Sequence, residues 1–372
     1  MLIFPLVILG FYFVLLFFFI KAWHKKTLES EGEIINHFPK VSIVCCVRNE
    51  QEGIQSLLET IAHQDYPKEL FECIIVDDFS IDNTLSIVED WIERNEFQLI
   101  VLKNNASNMP KKTAISLAVS HCIGEIVLVT DGDCKVGKEW VSSHVKKHLQ
   151  KHVSFVSASV RFEGGTFFEK VQRFEFVSLI ASGAATIKLG FPTMANAANM
   201  SFKKKVFLEL AGYEGTGNTP SGDDELLMHK IARKKGSTSI AFLQEKKAIV
   251  TTKAQPTIKA LINQRRRWGS KWRFYQLSYI KILALFIFFT QLSILCIFVL
   301  CFIGEINMTL ASVFLSLRLI LEYCFLKPVS KFLGIRFSLG IFLFLQLFYP
   351  LYVLTIGVLS NIGSFYWKGR KY

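Results

Sequence analysis

The sequence predicts an α/β domain with a mostly parallel central sheet, followed by transmembrane helices. Three observations predict it. Short Val/Ile/Leu runs alternate with amphipathic stretches from Val41 to Thr130. Two of those runs stop abruptly in carboxylates, at Asp77-Asp78 and at Asp131-Gly132-Asp133. Of the 372 residues, 51% are hydrophobic, with 34 Phe, and the apolar residues are segregated into long runs near both ends. That is too apolar for a soluble chain of this size.

The first long run, Leu2–Ile20, carries no charge and is followed by Lys21, His24, Lys25 and Lys26. At ~20 residues per span it is long enough to cross a bilayer. It lacks a basic leading region and a small-residue cleavage site, so it reads as a retained anchor. The cations behind it place Lys21 onward in the cytoplasm. Residues 1–23 are therefore the anchor and 24–40 a polar linker. Residues 41–255 form the cytosolic domain, 256–279 an amphipathic interfacial helix, 280–366 a membrane region of about three segments, and 367–372 a basic tail.

Within the cytosolic domain, Val41–Val47 is the first strand and Arg48-Asn49-Glu50 its exit loop. Ile54, Leu57, Leu58 and Ile61 recur at helical spacing between Gly53 and Gln64. Phe71–Val76 is a second strand, and Asp82 or Asn83 caps the helix that carries Leu85, Val88 and Trp91. Gln98–Leu102, a helix over Lys112–Cys122, and Glu125–Thr130 complete the alternation. Strand–helix alternation of this kind implies right-handed crossovers and a parallel sheet, with ligands beyond the carboxyl ends of the strands. Either acidic cluster alone reads as a polar turn. Both on one sheet edge read as a ligand site. Asp131 and Asp133, at i and i+2, point to the same side of an extended backbone, and Gly132 permits close approach. Their hard oxygens suit Mg²⁺ or Mn²⁺ carrying a diphosphate. Lys111 and Lys112 begin the preceding helix and are candidates to approach that diphosphate, although a solvated helix start explains them as well.

Beyond Lys138 the pattern is less regular. Val153–Val160 reads as a strand and Phe167–Ile187 as an apolar helix. Ala195-Asn196-Ala197-Ala198-Asn199-Met200 is small and polar, suited to lining an acceptor cleft. Ser221-Gly222-Asp223-Asp224-Glu225 precedes a helix over Leu226–Ala232, where carboxylates also simply favour a helix N-terminus. Pro256–Tyr275 mixes Trp268, Trp272 and Tyr275 with Lys259, Arg265, Arg266, Arg267, Lys271 and Arg273, and contains no Asp or Glu. Such a helix lies at a bilayer surface and is attracted to anionic headgroups.

Ile282–Ile303, Ile306–Leu326 and Phe337–Tyr366 are each long enough to span. Arg318 and Glu322, at i,i+4 inside the second, predict an intramembrane ion pair. Strict counting of three spans puts the basic tail outside, against the positive-inside rule; a re-entrant turn at Pro350 returns it to the cytoplasm. The net charge of +12 gathers beside membrane segments rather than in a nucleic-acid-binding motif, so lipid headgroups and not nucleic acid are the expected partner. The eight cysteines have neither metal-site spacing nor a secreted framework and read as reduced thiols.

Taken together, Val76-Asp77-Asp78-Phe79-Ser80-Ile81-Asp82-Asn83-Thr84, Asp131-Gly132-Asp133, Gly222-Asp223-Asp224 and Gln264-Arg265-Arg266-Arg267-Trp268 resemble the motifs of membrane-bound family-2 glycosyltransferases of processive type. The likeness covers roughly Val41 to Trp268 and the layout of one leading and several trailing spans. It implies an A-type, Rossmann-like nucleotide-sugar fold and an inverting transfer to a membrane-associated glycan or glycolipid. By that resemblance Asp78 contacts uracil, and Asp131 and Asp133 meet the ribose and a divalent metal. Asp224 is the base. Lys112, Gln264 and Arg267 join the donor site, while Trp268, Asp223 and Asn199 face the acceptor. The chain departs from the family in having Asp223 where Glu is usual, which leaves the base between two neighbours. It also lacks the common proline after the first strand.

A sugar hydroxyl needs a carboxylate to take its proton as it attacks, and a leaving diphosphate needs a cation to offset its charge. An aromatic face suits the apolar face of a sugar ring. Single addition and chain extension both fit, the latter with a homo-oligomer or an export partner. A reading from another class is a non-catalytic nucleotide- or glycan-binding scaffold for export.

Overall fold

The computed structural model describes residues 3–25, 38–94, 96–105 and 108–372; most of the expected linker therefore lies outside the described residues. In chain order the helices are α1 (Ile3–His24), α2 (Ile54–Ala62), α3 (Thr84–Arg94), α4 (Pro110–His121), α5 (Trp140–His148), α6 (Phe167–Lys188), α7 (Lys204–Glu209), α8 (Glu225–Lys235), α9 (Ile258–Gly269), α10 (Ser278–Phe302), α11 (Met308–Phe332) and α12 (Leu339–Leu359). The strands are β1 (Val41–Val47), β2 (Phe71–Asp77), β3 (Gln98–Lys103), β4 (Ile126–Asp131), β5 (Phe155–Ala158), β6 (Val160–Glu163), β7 (Met200–Lys203), β8 (Ile240–Leu243), β9 (Val250–Lys253), β10 (Tyr366–Trp367) and β11 (Arg370–Lys371). The chain divides into two compact units. One gathers α1, Gly164–Leu189 and Gln255–Phe365; the other holds the sheet, Gly190–Ala254 and Tyr366–Tyr372.

The sheet unit is a seven-stranded layer in the order β3-β2-β1-β4-β7-β5-β8. All pairs are parallel except those of β7, which runs antiparallel to both β4 and β5. Apolar β1, β2 and β4 are buried on both faces, as continuous Val/Ile/Leu runs require. The register sets Val47 opposite Asp77 and Cys46 opposite Asp131, so the first two strand exits and the β4 exit end level with one another. Asp82 starts α3 by accepting hydrogen bonds from the Thr84 amide (3.1 Å) and hydroxyl (2.5 Å). The stretch expected as one strand over 153–160 is two: Ser159 separates β5, in the main sheet, from β6, which pairs with β9. Its apolar alternation is the same on either side, so only pairing partners mark the break.

The second unit is helical. α1, α10, α11 and α12 are each long and apolar enough to cross a membrane. α1 and α11 run side by side in the same direction: Phe13 meets Phe314 (5.8 Å between ring centroids), Phe19 meets Phe325 (5.6 Å) and Trp23 meets Phe332 (5.5 Å). Arg318 Nε donates to Glu322 Oε1 (2.9 Å), as the i,i+4 spacing predicts. Tyr12 donates to the same oxygen (3.0 Å) and Gln346 bonds both ions, so this buried pair has its polar valences filled. The last apolar segment ends at Leu359 rather than at Tyr366. Phe337, just ahead of α12, packs on Phe174 (5.0 Å) and Tyr323 (5.2 Å), while Asn361, just beyond it, accepts from Trp272 Nε1 (2.8 Å). Residues 164–189, expected to belong with the sheet, group with the membrane helices because α6 packs its apolar length against α1, α11 and α12.

Candidate active site

The sheet edge is stitched from backbone first. The Asp78 amide donates to the Val47 carbonyl (2.8 Å) and the Asn104 amide to the Asp77 carbonyl (2.8 Å), which ties the β1, β2 and β3 exits together. Asp77 spends its carboxylate on the Ser80 amide, closing the turn (3.2 Å to each oxygen). Asp78 instead presents its side chain, with Oδ1 accepting from Asn104 Nδ2 (2.8 Å) and Oδ2 from Arg370 Nη1 (2.6 Å). Phe79 follows with φ of +60°, uncommon for a residue with a Cβ. Arg48 Nη1 holds that turn by donating to the Asp78 (2.6 Å) and Phe79 (3.0 Å) carbonyls.

At the β4 exit, Asp131 Oδ1 lies 2.6 Å from Lys111 Nζ. Lys111 reaches a second carboxylate, Asp223, at 3.3 Å. Burial alone lowers the proton affinity of the Lys111 ammonium, but Asp131 and Asp223 outweigh it and hold the pKa well above the ordinary lysine value. Asp133 Oδ2 accepts from Thr252 (2.9 Å), and burial together with the Asp131 charge pushes the Asp133 carboxyl above its usual range. Glu50 is pushed up to about 7 by burial, with Lys368 drawing it down and Asp133 adding to the rise. Gly132 also eases packing: a Cβ there meets Glu50 Cγ and Val47 Cγ1 at 3.0 Å, so one of them must shift to take it.

Excess negative charge between hard oxygens fits a divalent cation. Among the described residues no group of three or more His, Cys, Asp and Glu side chains forms a cage. The hard oxygens of Asp131 and Asp133 fit an ion of the Mg²⁺ or Mn²⁺ type, which takes one or two carboxylates and completes its shell with phosphate and water.

Asp224 is the N-cap of α8: Oδ1 accepts from the Glu225 amide (2.7 Å) and Oδ2 from the Ala197 amide (3.2 Å). The carboxylate thus sits against the Ala195–Met200 segment expected to line an acceptor cleft. Gly222, with φ of +88°, provides the left-handed turn that delivers it. Asp223 is buried and faces Lys111, while its carbonyl accepts from Tyr213 Oη (2.9 Å).

The structure buries two of the expected site residues in the core. Lys112 is 2% exposed and donates to the Gly217 carbonyl (3.1 Å) and Thr216 hydroxyl (3.3 Å), so of the lysine pair Lys111 is the one at the carboxylates. One residue along a helix turns the side chain by about 100°, which dipeptide chemistry alone does not reveal. Asn199 is 0% exposed, and its amide donates to the Ser159 (2.7 Å) and Ala248 (2.8 Å) carbonyls while Oδ1 accepts from Trp140 Nε1 (2.8 Å). It is a core residue in this structure.

In the membrane unit, α9 carries Gln264, Arg267 and Trp268, with Thr257 capping its start. Arg265 between them is buried, contrary to a lipid-headgroup role. Its guanidinium meets Glu175 Oε2 (2.5 Å), Tyr352 Oη (3.0 Å) and Gln264 Oε1 (2.5 Å), and lies 4.4 Å over the Trp268 ring. Phe176 packs 6.0 Å from the same ring. The acid missing from α9 is supplied by α6, which fixes the orientation of Trp268. Sequence reasoning also missed Lys368 and Arg370. Their signal was present in Trp367-Lys368-Gly369-Arg370: positive φ at Lys368 (+51°) and Gly369 (+77°) makes a two-residue hairpin loop.

A mostly parallel sheet with one reversed strand, carboxylates at its carboxyl edge and a capping Asp on a following helix define an A-type nucleotide-sugar transferase fold. The sequence matches Glycosyl transferase family group 2 over residues 126–357 and Glycosyl transferase family 2 over 42–209, and the chain belongs to this glycosyltransferase family. It is similar to the poly(ribitol-phosphate) beta-N-acetylglucosaminyltransferase TarS of Staphylococcus aureus, 35% identical over 100 residues, 27% of this chain and 17% of TarS. It is also similar to the poly-beta-1,6-N-acetyl-D-glucosamine synthase of Staphylococcus epidermidis, 24% identical over 235 residues, 62% of this chain and 53% of the synthase. The chain thus spans from about a sixth to about half the length of these curated relatives. The mannosyltransferase PcManGT from Pyrobaculum calidifontis, solved with GDP-Man and Mn²⁺, shares the fold at a TM-score of 0.58 and 19% identity, covering 97% of this chain and 96% of that one.

Proposed function

We propose that this enzyme transfers a sugar, with inversion, from a UDP-hexose or UDP-N-acetylhexosamine to a membrane-associated glycan or glycolipid in cell-envelope polysaccharide or glycolipid synthesis. The observation that supports it most is the Lys111 ammonium, 2.6 Å from Asp131 and 3.3 Å from Asp223. It links the β4 exit, where a donor diphosphate belongs, to the loop that delivers Asp224. N-acetylglucosamine in the names of two relatives supports an N-acetylhexosamine donor.

In this reading Asp78 receives the nucleobase and Asp131 the ribose, while Asp131 and Asp133 hold Mg²⁺ or Mn²⁺. Such an ion offsets charge on the departing diphosphate. Asp224 accepts the proton of the acceptor hydroxyl as its oxygen bonds the anomeric carbon from the face opposite the diphosphate. The bond from that carbon to the diphosphate oxygen breaks, and the nucleoside diphosphate leaves with the electron pair. Its N-cap position aims Asp224, whose oxygens are held by the Glu225 and Ala197 amides. Asp223 borders the acceptor side with Lys111, Gln264 and Arg267 bind diphosphate, and Trp268 stacks on the acceptor sugar.

We also place the sheet unit in the cytoplasm of an integral membrane protein. The parallel α1 and α11 carry Lys21 and His24, and Lys327 and Lys331, at the same end, which the positive-inside rule makes cytoplasmic. α12 begins beside Tyr323 near that end of α11 and finishes beside Trp272, ahead of α10. This supports three crossings, with α12 lying along the cytoplasmic interface. Release of nucleoside diphosphate from a panel of nucleotide sugars by the purified protein in nanodiscs tests the reading. One sugar donor turned over with a divalent cation is the expected result, and none turned over by any lipid-supplied sample contradicts it.

A further inference from the structure

The C-terminal hairpin docks on the same edge of the sheet unit that Asp78 and Glu50 occupy. β10 and β11 pair Tyr366 with Lys371 and Trp367 with Arg370 around the Lys368-Gly369 loop. Arg48 Nε donates to the Lys368 carbonyl (3.1 Å) and uses its Nη1 on the Asp78 and Phe79 carbonyls, so one side chain binds the hairpin to the β2 exit. Lys368 Nζ lies 2.5 Å from Glu50 Oε1. Arg370 Nη1 lies 2.6 Å from Asp78 Oδ2, and its guanidinium stands 5.9 Å from the centroid of the half-exposed Phe79 ring. The Lys368 and Arg370 side chains remain 32% and 28% exposed, so each keeps an outward face.

We propose that Lys368 and Arg370 are donor-site residues: Arg370 positions Asp78 and, with Phe79, walls the nucleobase, while Lys368 attracts the diphosphate. This rests on the reading of the Asp78 edge as the donor site. Lys368, Arg370 and Lys371 give this segment the charge to which an anionic donor is drawn. Arg370 does not consume Asp78. A carboxylate has about four lone-pair sites, and Asn104 and Arg370 take one on each oxygen. A flat guanidinium over an aromatic ring also offers the stacked surface that a base accepts.

The test is equilibrium binding of uridine, UDP and GDP, with Mn²⁺, to the full chain in nanodiscs. It is compared with Arg370→Ala, Arg370→Lys, Lys368→Ala and a chain ending at Phe365. Arg370→Ala is expected to weaken uridine and UDP alike by about tenfold, the loss of one charge-assisted contact, with Arg370→Lys restoring only part. Lys368→Ala weakens UDP about tenfold and leaves uridine unchanged, a split that a packing defect does not produce. The shortened chain loses both effects together. Point variants that melt like the parent yet bind UDP equally or more tightly overturn the inference while leaving the donor site intact. Failure of the unaltered chain to bind either diphosphate overturns the donor-site reading itself and takes the inference with it.

Discussion

Lys111 stands between two carboxylates that lie far apart in the chain, 2.6 Å from Asp131 and 3.3 Å from Asp223. Removing its charge leaves the buried Asp223 and the partly exposed Asp131 without the cation they share. Lys111→Met is expected to lower kcat/KM for donor by about 100-fold, in the range of ion pairs broken at buried sites. Lys112→Met, which removes bonds to Thr216 and Gly217 instead, lowers Tm and leaves donor KM unchanged. Steady-state kinetics and thermal unfolding of the two variants check this, and the reverse pattern contradicts the assignment of Lys111.

Asp133 Oδ2 accepts from Thr252, and the carboxylate sits beside Asp131. Asp133→Ala is expected to abolish the divalent-cation dependence of donor binding. Chelation has the same effect on the parent chain and no effect on the variant. Calorimetric titration with and without Mn²⁺ reads both, and metal-independent donor binding of unchanged strength in the variant is the contrary result.

Two buried histidines give the sheet unit a pH dependence. His144 is held down to about 4 by burial, with Asn199 raising it slightly, and His148 to about 3 by burial, His144 and Lys203. Both are neutral when folded, whereas the unfolded chain protonates them near the ordinary value of 6.5. The unfolded state therefore binds more protons below 6.5. Stability from these groups is fully present above 6.5 and is lost as pH falls toward about 4 and then about 3. Each costs on the order of 1.4 kcal/mol per pH unit in that window. His148→Gln is expected to flatten the fall in Tm between pH 6.5 and 4; an unchanged slope contradicts it.

The tail at 367–372 is expected on the cytoplasmic side, where Lys368 and Arg370 meet Glu50 and Asp78. A fluorescent protein fused after Tyr372 then fluoresces, and a periplasm-dependent phosphatase fused there stays inactive. The opposite pair of results means that α12 crosses the bilayer.

The parallel sheet was legible because its strands are unbroken apolar runs, for which burial on both faces is the one economical fate. Asp78, Asp131, Asp133 and Asp224 stand out as candidates because carboxylates after such runs have little structural reason to cluster. Asn199 was misjudged because a small polar residue beside alanines looks the same in a cleft and in a core. Burial with four filled valences distinguishes them, and burial is a tertiary property. Arg265 was read as lipid-facing because its partner Glu175 lies 90 residues away. The hairpin around Lys368-Gly369 has a local signal, but its docking on Glu50 and Asp78 is a tertiary property that no local pattern encodes.

The central claim, that Asp224 takes the acceptor proton in an inverting sugar transfer, is tested most directly by Asp224→Asn. Donor affinity and turnover are measured on the same nanodisc sample. Unchanged donor affinity is expected, with a loss of turnover of about 10²–10⁴-fold, the range for a general base. Turnover equal to the parent's, with donor still bound, contradicts it.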